Sequence, residues 1–189
     1  MDKKEILRHI DHTLLKPYAV WEDIRILCEE AVEYKTASVC IPPCYVERVH
    51  DKFDTLNICT VVGFPLGYSV TAAKLAEVEK ALKEACGGHV LKVIIETCYL
   101  TGEEKIAMCQ AVTKAGADYI KTSTGFGTGG ATLEDVRLFR EHIGPSVKIK
   151  AAGGVKSRED LEIFLEAGCD RIGTSSAVGL LKGEEAGDY

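Results

Sequence analysis

The chain has 189 residues, 46% apolar and 28% charged, with a formal net charge of −6. That length supports one domain with a substantial core, expected over 1–189, and the acidic balance argues against nucleic acid or an anionic membrane as a partner. No apolar run reaches spanning length, and the opening MDKKEILRHIDH has no signal-peptide h-region, so a cytoplasmic protein is expected.

Eight Cys, at 28, 40, 44, 59, 86, 98, 109 and 169, form no CxxC pair. Reduced, mostly buried thiols are expected in place of disulfides or zinc ligands. The segment CIPPC (Cys40 to Cys44) lacks matching His or Cys partners for a metal.

In chain order, strands are expected at Ile10–Leu15, Ser38–Ile41, Ile58–Phe64, Val90–Glu96, Tyr119–Ser123, Val147–Ala152 and Arg171–Thr174. Several are β-branched and nearly continuous in apolar character, as parallel strands covered by helices require. Between the first two, Glu22–Tyr34 carries a helical stripe of Ile24, Leu27, Cys28 and Ala31. Between residues 68 and 90, one helix pattern (Leu75, Val78, Ala81, Leu82 and Ala85) stands with no strand. Thr101 with Glu104 opens a helix running toward Gly116. Thr132 with Asp135 opens another, ending near Gly144, and Ser157 with Asp160 a third, ending at Gly168. The polar tail KGEEAGDY closes the chain at Tyr189.

AGADYIKTS (Ala115 to Ser123) echoes AGCDRIGTS (Ala167 to Ser175). Repeated βα units fit a doubly wound sheet or a (β/α) barrel. Polar groups gather at the strand ends, namely Glu96-Thr97, Thr122 to Thr124, Gly153-Gly154 and Thr174 to Ser176. A barrel collects those ends at one mouth, which favours it.

Gly125 to Gly130 formally satisfies GxGxxG between a strand and a helix. The next strand, VKIKAAGG, ends in glycines and not in an acid that could hold a ribose, which argues against a dinucleotide site. Backbone N–H groups of such a loop suit a phosphate. AAGGVKS and GTSSAV, after the last two strands, occupy the usual phosphate position of barrels.

Side chains two apart on a strand share a face. That parity places Lys92, Lys121, Lys148 and Lys150, with Glu96, in one interior, opposite the helix-facing Leu91, Val93, Ile95, Val147, Ile149 and Ala151. Crowded ammonium groups disfavour one another's charge, and a neutral lysine can attack a carbonyl to form a Schiff base.

The segments IDHTLLKP, CTVVGFPLG, LKVIIETCYLT, YIKTSTGFGTGGAT, KAAGGV and RIGTSSAV together resemble the deoxyribose-phosphate aldolase family, class I aldolases on a TIM barrel. The resemblance implies reversible, metal-free and cofactor-free cleavage of 2-deoxy-D-ribose 5-phosphate to acetaldehyde and D-glyceraldehyde 3-phosphate, by a homodimer. It implies that Lys121 is the Schiff-base lysine and Lys150 the second lysine that tunes it. Gly125, Gly153, Gly154, Gly173, Ser175 and Ser176 match the phosphate loops. Asp11, Thr13 and Cys40 match residues lining the mouth, where Lys92 is also placed.

After GFPLG the family usually has a helix, a strand near GADEIDMVIN and another helix; here the chain passes directly to VLKVIIE. About one βα unit, roughly 30 residues, is absent, so seven strands are expected. The absent strand carries the family's catalytic Asp. Asp11 and Glu96 are the nearby carboxylates left, and each reads more readily as a counter-ion than as a substitute. Two other readings stay open: a weak or inactive barrel that binds sugar phosphates, and a Schiff-base aldolase for another small aldehyde phosphate. Loss of the Asp predicts turnover by the purified chain ~10²–10⁴-fold below that of a full-length aldolase, the usual worth of acid–base help. Near-normal turnover in a steady-state assay would overturn this.

Overall fold

In the computed structural model, residues 1–70, 72–73, 76–77 and 90–183 are described. The stripe at Leu75, Val78, Ala81, Leu82 and Ala85, with Cys86 and Tyr189, lies outside the described residues. The chain divides into two compact units, Asp2–His89 and Val90–Tyr189, the latter joined by Met1.

The first unit runs α1 (Lys3–Leu7), β1 (Ile10–Thr13), α2 (Trp21–Tyr34), β2 (Ser38–Cys40), a 3₁₀ turn (Pro43–Tyr45), α3 (Val46–Lys52) and β3 (Ile58–Cys59). Its strands pair in parallel with β2 between β3 and β1, and Asp11 stands opposite Ser38, Thr13 opposite Cys40. The α2 stripe of Ile24, Leu27, Cys28 and Ala31 packs on Val39, Ile41, Val46 and Val49. The sequence reading did not anticipate α3. At seven residues it is too short to show a repeating stripe, and packing of Val46 and Val49 stabilises it.

The second unit runs β4 (Lys92–Ile94), a 3₁₀ turn (Thr97–Tyr99), α4 (Gly102–Lys114), β5 (Tyr119–Lys121), α5 (Leu133–His142), β6 (Lys148–Ala152), α6 (Arg158–Glu166), β7 (Arg171–Thr174) and α7 (Ala177–Lys182). Its strands pair in parallel in the order β7-β6-β5-β4. Helices α4, α5 and α6 pack on β5, β6 and β7. Ile120, Ile149, Ala151 and Ile172 are buried on that side with Phe139 and Leu161. The class is α/β of TIM type, with seven strands among the described residues.

The repeat noticed in the sequence has a physical role. Asp118 Oδ2 accepts from the Leu91 N–H at 2.8 Å, and Asp170 Oδ2 accepts from the Ile149 N–H at 3.0 Å. Each Asp sits just before its own strand and holds the backbone of the neighbouring one, fixing the register. Strands end earlier than expected. Glu96, two residues beyond the end of β4 at Ile94, adopts φ 53, and β3 stops at Cys59.

The three helix starts read from the sequence are all capped. Thr101 Oγ1 accepts from the Glu104 N–H at 3.3 Å, while Glu104 Oε2 accepts from the Thr101 N–H at 2.8 Å. Thr132 Oγ1 accepts from the Asp135 N–H at 3.1 Å and Ser157 Oγ from the Asp160 N–H at 3.0 Å. Thr101→Ala is expected to cost about 1 kcal/mol of stability, measured by denaturant unfolding. An unchanged midpoint would show that packing alone holds α4.

Candidate active site

The registers of the second unit stack its inward side chains in layers. Lys92, Tyr119 and Lys148 form one layer; Ile94, Lys121, Lys150 and Arg171 form the next. Lys121 is 6% exposed and Lys150 1%. Opposed residues of paired strands lie only ~5 Å apart at the backbone, so these two side chains leave the sheet side by side.

Four lysines in one interior is an overstatement. Lys148 is exposed and Lys92 half-buried. Their ammonium groups lie 5.8 and 5.0 Å from the centroid of the Tyr119 ring. Parity put them on the correct face, but one layer lower. There each ammonium stands at cation–π distance from the aromatic ring.

Above the lysine layer, the glycine loops interlock. A Cβ on Gly130 would lie 2.5 Å from the backbone carbon and oxygen of Gly153. The Ala131 N–H donates to the Gly153 carbonyl at 3.0 Å. Gly153 and Gly154 adopt φ 79 and 75, and Gly125 φ 90, a region that favours residues without Cβ. Thr122 Oγ1 fastens the two strand ends, accepting from the Ala152 N–H at 3.1 Å and donating to its carbonyl at 3.2 Å. Two residues beyond Lys121, the buried Ser123 hydroxyl has no hydrogen-bond partner among the described residues.

Gly173 of β7 makes room for the second lysine, since a Cβ there would lie 2.9 Å from Lys150 Cε. Just beyond it, Ser175 and Ser176 are half-buried, and the Ser176 N–H donates to Thr174 Oγ1 at 3.1 Å. Arg171, opposite Lys150, escaped the sequence reading, although the parity that places Gly173 on this face places Arg171 there too. The remaining candidates belong to the first unit. Asp11, Thr13 and Cys40 are buried on one face of β1 and β2. Asp11 Oδ1 accepts from Ser38 Oγ at 2.8 Å, and Thr13 Oγ1 donates to the Asp11 carbonyl at 2.7 Å.

Glu96 does not face the lysines as a strand residue would. Its backbone has left the extended region, and its carboxylate accepts from the Thr124 N–H at 3.1 and 3.2 Å. Among the described residues, no group of three or more His, Cys, Asp or Glu is placed to hold a metal ion. The seven described cysteines are free thiols. Burial pushes Cys28 and Cys109 up to about 11 and Cys169 up to about 12.

Two outcomes are expected from this geometry. A thiol reagent at pH 8 should label the exposed Cys44 first, and Cys28, Cys109 and Cys169 only on unfolding, as read by mass spectrometry. Gly173→Ala should displace the flexible end of Lys150 and press at 3.2 Å on the Ala152 Cβ. It should therefore lower turnover on the order of 10²-fold, with the fold retained as read by a cooperative melting transition. Unchanged turnover would detach Lys150 from the chemistry.

Residues 70–186 match the DeoC/LacD family aldolase. A deoxyribose-phosphate aldolase of Clostridium botulinum is 59% identical over 221 residues, covering 100% of both chains. Its counterpart in Clostridioides difficile is 51% identical over 98% of this chain and 100% of its own. The 221-residue alignment against a chain of 189 leaves about 32 positions without a residue here, the size of the unit expected to be absent. Among solved structures, the tetrameric deoxyribose phosphate aldolase of Aeropyrum pernix matches with TM-score 0.91 at 29% identity, over 96% of this chain and 92% of that one. The aldolase QR15 matches with TM-score 0.90 at 31% identity, over 95% of each. This chain belongs to the DeoC/LacD family of aldolases.

Proposed function

We propose that the protein is a class I aldolase that cleaves 2-deoxy-D-ribose 5-phosphate to acetaldehyde and D-glyceraldehyde 3-phosphate. The observation that carries this reading is the buried pair Lys121 and Lys150, side by side on β5 and β6 beneath glycine-rich loops. The nucleophile such a reaction needs is a lysine amine in its neutral form. The Lys121 amine attacks the substrate aldehyde, and loss of water leaves an iminium. The proton of the C3 hydroxyl departs, the C2–C3 bond breaks, and its electron pair moves into the iminium as an enamine. Glyceraldehyde 3-phosphate leaves. Protonation of the enamine carbon and hydrolysis release acetaldehyde and restore the amine.

Lys150 tunes the nucleophile and moves protons. The backbone of Gly125, Gly153, Gly154 and Gly173, with Ser175 and Ser176, holds the phosphate. No metal or cofactor takes part in this scheme. A cytoplasmic site fits the free thiols, Cys44 among them in the open. A homodimer is supported by the exposed apolar residues Leu66, Tyr68 and Val70; sedimentation showing only monomer would remove that element.

The shortened chain favours a second reading, a barrel that binds sugar phosphates without turning them over. Borohydride with substrate separates the two. A reduced adduct on Lys121, lost in Lys121→Arg, supports the aldolase, whereas saturable binding without any adduct supports the binding protein. Lys150→Met is expected to slow turnover ~10²–10⁴-fold while the adduct still forms. A panel of small aldehyde phosphates tests substrate choice.

A further inference from the structure

Glu96 stands where the strand should have continued. Its left-handed backbone, φ 53 and ψ 68, is one that residues with a Cβ rarely adopt. The turn swings its carboxylate sideways onto the loop that follows β5. There both oxygens accept from the Thr124 N–H, at 3.2 Å for Oε1 and 3.1 Å for Oε2. Oε2 also accepts from the Thr124 hydroxyl. Thr124 Oγ1 in turn accepts from the Phe126 N–H at 3.1 Å. The loop then closes over the carboxylate. A Cβ on Gly127 would lie 3.1 Å from Glu96 Oε1 and 2.9 Å from Cys98 Sγ.

This loop begins three residues after Lys121 and contains Gly125. A glycine-rich segment has little shape of its own, so an external constraint must hold it. A carboxylate accepting several N–H and O–H groups is a strong one. A carboxylate engaged in this way is also poorly placed to shuttle protons between the lysines.

We propose that Glu96 is a positioning residue. It latches the loop Thr124–Phe126 in the shape that receives the substrate's phosphate, and thereby sets the preference for phosphorylated over unphosphorylated substrate. The second half of this inference rests on the proposed function; the latch itself does not.

The informative variant is Glu96→Gly, which suits a left-handed backbone and removes only the side chain. Glu96→Gln keeps the size and one acceptor oxygen. Amide hydrogen exchange and the ratio of kcat/KM for 2-deoxyribose 5-phosphate to that for 2-deoxyribose are measured on the full chain. In Glu96→Gly, the Thr124 and Phe126 amides should exchange at least tenfold faster, with the β6 amides unchanged. The preference ratio should fall at least tenfold through a higher KM for the phosphorylated substrate, while the borohydride adduct on Lys121 persists. Glu96→Gln should fall between. Unchanged exchange at Thr124 and Phe126 overturns the latch, and an unchanged ratio overturns its role in specificity. Should the parent chain form no Lys121 adduct, the assigned reaction has failed. Amide exchange together with the affinity for inorganic phosphate then upholds or overturns the positioning role.

Discussion

Two lysines on neighbouring parallel strands, in register and out of water, are the constraint on which the second unit depends. Lys121 and Lys150 oppose each other across β5 and β6, and both are buried. A one-residue slip would turn either amine toward the helices, so the register must be held firmly. Asp170 holds the backbone of β6 from the start of β7, and Asp118 does the same to the segment entering β4. Thr122 binds both the N–H and the carbonyl of Ala152. Gly173 leaves the space that the Lys150 side chain fills.

The loops above these lysines follow a different logic. Gly130 and Gly153 approach so closely that no side chain fits between them. Backbone amides can then line the site, but the glycines contribute no stiffness. Rigidity comes from neighbours: the Ala131 hydrogen bond to Gly153, and the Glu96 carboxylate on Thr124. The strand end that a period-two reading assigns to the interior thus serves the loop beside it.

The sequence reading captured what local chemistry sets. The caps at Thr101, Thr132 and Ser157, the buried stripe of α2 and the strand cores were legible because each depends on residues a few positions apart. It missed α3, which is short and exists through packing of Val46 and Val49. It also placed Lys148 in the interior. Parity specifies the face of a strand but not the depth along it, and Lys148 lies one layer down, against Tyr119.

By itself, the sequence determined the alternation of strands and helices, the identity of the lysines and the glycine loops. Those properties are written in residue type and spacing. Tertiary structure decided which lysines are buried, because burial depends on the layer a residue occupies among its neighbours. It decided the partner of Glu96, because a left-handed turn at a strand end cannot be read from spacing. And it decided what the two AGxD segments do, because an Asp carboxylate finds a backbone N–H on another strand only after the strands have come together.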